Sequence, residues 1–242
     1  SDEILHPAKY PEDLVDMYVS AYTSEGENVY DPMSGTGSTQ VAALKLKRNA
    51  YGTELSEFFG QIARKRCNEV TSPQQSSLFA EVNDCEVRIE IEDARKFKTL
   101  KFPLQHYLIT SPPYWDMLNM KGAENQAKRI ESGLRTNYSE NSDDMGNIND
   151  YNNFLTSITD LYLDLADLLQ PKARMTIVVK NIKKKGTNYP FAWDLSRNLQ
   201  GKYILLPENF WLQDDISIAP FGYGNTWVSN TFHQYCLQFQ VA

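Results

Sequence analysis

Strand-like and helix-like runs alternate along almost the whole chain, and this constrains its fold more than any other feature. Asn28–Met33 is a short apolar run that stops at Gly35. Ser38–Arg48 then reads as a helix, apolar at Val41, Ala42, Leu44 and Leu46 and basic near its end. Ala50–Leu55 reads as the next strand, and Ser56–Val70 as a helix that Ser56 can cap. In Glu86–Asp93, Val87, Ile89 and Ile91 alternate with Arg88, Glu90 and Glu92, the period of a half-buried strand. Gln105–Thr110 follows as a strand and Tyr151–Leu169 as a helix, whose Asp160, Asp164 and Asp167 form a solvated face. Met175–Ile182, Tyr203–Leu212 and His233–Val241 complete the strands, with a short helix over Phe191–Leu199. The pattern predicts an α/β fold, a mostly parallel sheet with helices on its faces. A chain of 242 residues is sized for one such domain.

Two stretches break the alternation. Asp116–Asp150 is polar, aperiodic and 35 residues long, far beyond an ordinary connection, and is expected to be an inserted substrate-recognition loop. Residues 213–232 are irregular and rich in Gly, Asn and aromatic residues.

Composition removes several classes. With 41% hydrophobic and 23% charged residues, neither disorder nor a fibrous repeat fits. No apolar run approaches the roughly 18 residues of a membrane-spanning helix, and the first twenty residues do not read as a signal peptide. Cys67, Cys85 and Cys236 cannot all pair and have no metal-ligand spacing, so reduced thiols, a cytoplasmic location and no metal are expected. The net charge of −7 should repel nucleic acid at long range. Yet Pro171–Lys202 holds eight basic residues and one acid, so a basic face on an acidic body is open. Lys183, Lys184 and Lys185 are the candidate phosphate contacts within it.

Two motifs carry chemistry. Asp31-Pro32-Met33-Ser34-Gly35-Thr36-Gly37-Ser38-Thr39 lies where the first strand hands over to a helix. Ligands of open parallel sheets bind beyond such strand ends, and Gly35 and Gly37 let the backbone approach one closely. Glu54 closes the next strand about twenty residues on, where an acid can accept hydrogen bonds from ribose hydroxyls. The glycine pattern is not G-x-G-x-x-G, which disfavours a nicotinamide dinucleotide.

The second motif is Thr110-Ser111-Pro112-Pro113-Tyr114-Trp115. The adjacent prolines stiffen the backbone and remove two N–H donors. At a strand end, the Ser111 hydroxyl and the Pro112 carbonyl can then accept both hydrogens of one amino group, while Tyr114 and Trp115 can stack on a planar base. No Cys follows a Pro, so a cysteine-mediated attack on a base carbon is not expected.

Together these motifs resemble those of the S-adenosylmethionine-dependent DNA amino-methyltransferases, particularly the N4-cytosine type. DPMSGTGST is similar to their DPFxGxGT motif and TSPPYW to their catalytic motif. HPAKYPEDL, YGTELSEFF, IEIEDAR and FHQYCLQF resemble further family segments, in a self-consistent order. Met33 stands where the family has Phe, and the glycine motif precedes the Ser-Pro-Pro motif, the reverse of most N4-cytosine members.

The resemblance implies a doubly wound, Rossmann-like class I methyltransferase fold with seven strands and an antiparallel last strand. It implies S-adenosylmethionine as cofactor. Asp31, Pro32, Met33, Ser34, Gly35 and Gly37 would hold its methionine side, closed over by Tyr10, with Glu54 at the ribose and Asp93 at the adenine. Ser111, Pro112, Pro113 and Tyr114 would hold a base flipped from duplex DNA. Ser111 in place of Asp favours cytosine N4. Adenine N6, RNA or a protein amide are the alternative acceptors, and a non-catalytic cofactor-binding subunit is the alternative role. With no separate recognition domain, target choice would fall to 116–150, to 213–232, or to a partner subunit or second copy.

Overall fold

The structure, a computed structural model, describes residues 10–72, 84–113, 115, 144–184, 186–213, 220–223, 226–229 and 231–242. Residues 6–9 of the opening motif, Tyr114, Lys185 and all but the end of the 116–150 stretch lie outside these.

Helix α1 (Glu12–Tyr22) leads into strand β1 (Asn28–Asp31), α2 (Ser38–Lys45), β2 (Asn49–Glu54), α3 (Glu57–Thr71) and β3 (Val87–Ile91). The short α4 (Phe97–Leu100), β4 (Gln105–Thr110), α5 (Tyr151–Leu165) and β5 (Leu169–Val179) follow. A hairpin of β6 (Ile182–Lys184) and β7 (Thr187–Tyr189) precedes α6 (Phe191–Asn198) and β8 (Tyr203–Leu212). The hairpin β9 (Pro220–Tyr223) and β10 (Thr226–Ser229), then β11 (His233–Val241), end the chain.

Seven strands form one sheet in the order β3-β2-β1-β4-β5-β11-β8. The first five are mutually parallel, and β11 runs antiparallel to both β5 and β8. The central strands are apolar on both faces because both are covered. Val29, Ala50, Ile109 and Val178 pack towards α1, α2 and α3. Their neighbours Tyr30, Tyr51, Leu108 and Ile177 pack towards α4, α5 and α6.

Local departures from the sequence pattern have physical causes. β3 is an edge strand, so of its three alternating apolar residues only Ile89 is fully buried. Ser56 precedes α3 but makes no side-chain cap; its backbone N–H donates instead to Glu54. β5 begins at Leu169, six residues before the expected Met175, and its start is irregular. Lys172 has φ 64° and the pairing with β4 shifts register there. The helix expected over Tyr151–Leu169 ends at Leu165 and tightens into a 3₁₀ turn over Ala166–Leu168.

Candidate active site

Because β1 and β4 are parallel neighbours, with Tyr30 opposite Leu108, their two following turns leave the same edge of the sheet side by side. The glycine turn and the Ser111 turn therefore face one region, the strand-end crevice where open α/β sheets bind ligands.

Asp31 ends β1 and is buried. Its Oδ1 accepts the Met33 N–H at 2.9 Å, and Oδ2 accepts from the Tyr10 and Thr39 hydroxyls, each at 2.8 Å. Those hydroxyls also touch one another at 2.5 Å. Two hydroxyl protons thus serve three contacts, an arrangement that a proton on Asp31 would complete. Burial pushes the Asp31 carboxyl above its ordinary range, and the hydrogen bonds from the Met33 N–H and the Tyr10 and Thr39 hydroxyls oppose the shift.

The turn after Asp31 is braced from below. The Ser34 N–H donates to the Thr53 carbonyl at 2.9 Å, and the Thr53 hydroxyl to the Pro32 carbonyl at 2.7 Å. Gln40 Nε2 donates to Ser34 Oγ and to the Tyr51 carbonyl, both at 3.0 Å. Gly52 leaves room for this pair, for a Cβ there would lie 2.1 Å from Ser34 Oγ. Gly37 has φ 82°, and a Cβ on it would lie 2.9 Å from Ala63 Cβ, so its bareness lets α2 start tight against α3.

Glu54 ends β2, and its carboxylate accepts the Gly35 and Ser56 N–H groups at 2.8 and 2.9 Å. Burial pushes its pKa up to about 7 against these bonds. Asp93 follows β3 and accepts the backbone N–H of Arg95 at 2.9 Å, with the Arg95 guanidinium against both its oxygens. Burial raises this carboxyl, but the Arg95 contacts win and hold it below its ordinary value. Arg66 on α3, absent from the sequence-derived candidates, is buried and bonds the Thr36 carbonyl at 2.5 Å and the Glu12 carboxylate. It ties the start of α1, two residues after Tyr10, to the glycine turn. A signal existed: Arg66 falls in the stripe Phe59, Ala63, Cys67, where a helix expects core residues.

In the second turn Ser111 and Pro113 are half-buried and Pro112 is buried. Pro112 and Pro113 line a small crevice with Val179, Lys180, Ile182 and Phe191. Trp115, expected to stack on a base, is 3% exposed. Its indole N–H donates to the Ile148 carbonyl at 2.8 Å, and its ring packs on Tyr189 and Tyr151 at centroid distances of 4.9 and 5.4 Å. Lys184 Nζ lies 4.0 Å from the centre of that ring, so this lysine is engaged by the indole. In this arrangement the Trp115 ring is enclosed by Tyr151, Tyr189 and Lys184. Lys183 and Lys184 lie on β6, just past the end of β5. Of the described residues, none form a cluster of three or more potential metal ligands, and no helix is long and apolar enough to cross a membrane.

The strand order and the paired turns define the class, a Rossmann-like methyltransferase fold. An rRNA methylase from Streptococcus thermophilus superposes with a TM-score of 0.52 at 9% identity, over 97% of this chain and 98% of that one. The magnesium protoporphyrin IX methyltransferase of Synechocystis PCC 6803 gives 0.53 at 14% identity, over 96% and 79%. At these identities the likeness is one of fold.

Sequence narrows the class. The N6/N4 DNA methylase family matches residues 1–65. The orphan methyltransferase M.BamHII of Bacillus amyloliquefaciens is 38% identical over 61 residues, 25% of this chain and 23% of that protein. The type II methyltransferase M2.DpnII of Streptococcus pneumoniae is 39% identical over 61 residues, with the same two shares. The match thus spans about a quarter of the length of these curated relatives. Over this segment, which contains Tyr10, Asp31 and Glu54, the chain is similar to the DNA amino-methyltransferase family.

Proposed function

We propose that the protein transfers a methyl group from S-adenosylmethionine to the exocyclic amino group of a DNA base, cytosine N4, after the base is flipped from its stack. The observation that carries this reading is the departure of the Asp31–Gly37 and Ser111–Pro112 turns from adjacent parallel strands.

The residues fit the cofactor by donor type. S-adenosylmethionine offers hydrogen-bond donors at its ammonium, ribose diol and adenine amine. The acceptors Asp31, Glu54 and Asp93 close three adjacent strands in that order. With neighbouring strands about 4.8 Å apart, they are spread over roughly 10 Å. Glu54 uses one acceptor site on each oxygen for Gly35 and Ser56, and each oxygen keeps another for a ribose hydroxyl. Tyr10 covers the Asp31 end, and Gly35 and Gly37 admit close backbone approach.

When bound, the cofactor supplies an electrophilic methyl group on a sulfonium. An exocyclic amine is a poor nucleophile because its lone pair is delocalised into the ring. Ser111 Oγ and the Pro112 carbonyl accept its two hydrogens, favour a pyramidal nitrogen and aim the lone pair at the methyl group. Positioning and fixed dipoles carry the acceleration, with no covalent enzyme intermediate. Flipping the base costs a few kcal/mol, which stacking on Tyr114 offsets in part. Lys183, Lys184 and Lys185 contact phosphates, Lys184 by exchanging the Trp115 ring for one, and a triple Lys→Ala variant should flatten the salt dependence of DNA binding.

The test is to incubate the protein with labelled cofactor and DNA, digest to nucleosides and identify the product by mass. N4-methylcytosine is expected. N6-methyladenine would keep the class and move the target, and label in tRNA or protein alone would overturn the DNA assignment.

A further inference from the structure

A ledge of exposed rings runs along the same sheet edge as the Ser111 turn, and nothing in the reaction described above uses it. Since β11 is antiparallel to β5, its first residues stand beside the end of β5, with Tyr235 opposite Val179. His233 in turn pairs with Leu212, the last residue of β8. The Tyr235 ring packs on Phe210 at 5.3 Å, on His233 at 5.2 Å and on Trp193 of α6 at 6.5 Å between centroids. The ledge is open to solvent: Trp193 is 58% exposed, Phe210 53% and Leu212 59%. Large apolar groups concentrated in this way mark a contact surface.

Its position and surroundings select the partner. Lys180, which lines the crevice with Pro112 and Pro113, is followed in the chain by Asn181, whose Nδ2 is 3.5 Å from the Tyr235 hydroxyl. The rings therefore begin beside the base-accepting turn, with the lysines of β6 following Asn181 on the hairpin. Exposed rings flanked by cations suit unstacked bases joined by phosphates. Strand addition by a second copy is disfavoured, because β8 carries Pro207 and Glu208 at its centre, where the ladder to β11 shifts register.

We propose that this ledge stacks the unpaired bases of single-stranded DNA adjoining the target base, so that locally single-stranded DNA is the preferred substrate. The inference rests on the DNA-methyltransferase reading and specifies its substrate.

The test is fluorescence anisotropy of the full chain with a labelled short oligodeoxythymidylate and with a duplex of equal length. Trp193→Ala and Phe210→Ala should each weaken single-strand binding by about fivefold or more, with duplex binding changed by less than about twofold and Trp193→Phe retaining most affinity. Thermal unfolding checks that each variant is folded. Unchanged single-strand binding, or equal losses on both DNAs, would overturn the proposal. A dimer that Trp193→Ala converts to monomer, with oligonucleotide binding intact, would give the ledge to a second copy instead. Methyl transfer to duplex that persists while the ledge variants bind normally removes the ledge alone. Oligonucleotide binding that needs Trp193, with no DNA accepting a methyl group, removes the catalytic reading alone.

Discussion

The Tyr10 hydroxyl donates to Asp31 Oδ2 across 2.8 Å, and both residues are buried, so a side chain just ahead of α1 completes the shell of a carboxylate at the end of β1. Tyr10→Phe leaves that carboxylate with the Met33 N–H and the Thr39 hydroxyl alone. Weakening the shell of a buried charge should destabilise the fold by about 1–3 kcal/mol and raise the Asp31 pKa further. Urea unfolding at neutral pH checks the first effect. The second appears as a stability difference from wild type that narrows once Asp31 is protonated in both proteins.

With Glu54 at the ribose as proposed, the cofactor site has a pH dependence whose sign is fixed. Its pKa is raised from the ordinary 4.5 to about 7 by burial, so the fold favours the protonated form. The stability this contributes, roughly 3 kcal/mol at most, is full below the unfolded pKa and is lost as pH rises through about 7. A ribose diol needs the ionised form, so cofactor affinity should move the other way, falling about tenfold for each pH unit below the pKa. Calorimetric titration of S-adenosylmethionine across this range reads the slope. Glu54→Gln should flatten it, and a flat wild-type profile would remove Glu54 from the ribose.

Gly52 is held to glycine by space. A Cβ there would sit 2.1 Å from Ser34 Oγ and 2.4 Å from Gln40 Nε2, the pair that supports the turn after Asp31. Gly52→Ala should therefore cost about 1–3 kcal/mol in denaturant unfolding. Gly26, whose hypothetical Cβ meets nothing within 4 Å, serves as a comparison because only its φ of 80° resists alanine.

These positions show what could be read in the sequence. Strands β4, β8 and β11 have the expected limits because apolar runs there end at polar or Pro-rich turns. The placing of Asp31 and Glu54 at strand ends, and of Ser111 directly after one, could be read because apolar runs stop there. The partners that hold them were not, since Tyr10 to Asp31 and Arg66 to Thr36 are contacts between residues 21 and 30 positions apart. The surroundings of Trp115 are hidden in the sequence for the same reason: they are made by Tyr151, Tyr189 and Lys184, which arrive only with the fold. Helix α1 carried a readable stripe in Val15, Tyr18, Val19 and Tyr22 that the neighbouring motif obscured. The β6–β7 turn had its signal in Gly186, which adopts φ 80°.

Arg66 should behave as a structural clamp with a functional readout. Glu12 keeps a second partner in Lys45 at 2.7 Å and stays partly exposed, so losing the guanidinium does not strand a fully buried charge. The cost of Arg66→Met should then be about 1–3 kcal/mol, below the 3–5 kcal/mol of a completely orphaned ion. Because Arg66 also holds the Thr36 carbonyl, cofactor affinity should fall while activity at saturating cofactor is largely retained. Paired unfolding and cofactor-titration measurements separate this from a stability loss alone.

Ser111→Ala tests the acceptor half of the site separately from the donor half. The Ser111 side chain has no part in the network around Asp31 and Glu54, so cofactor affinity should stay within about twofold of wild type. Without Oγ, only the Pro112 carbonyl remains to accept an amino hydrogen, and the nitrogen lone pair is no longer held towards the methyl donor. An interaction that acts in the transition state should lower kcat by about 10- to 100-fold with little change in KM for DNA. Single-turnover kinetics with saturating cofactor measures the step directly. A variant with full kcat would remove the hydroxyl from the reaction and leave Ser111 as a turn residue.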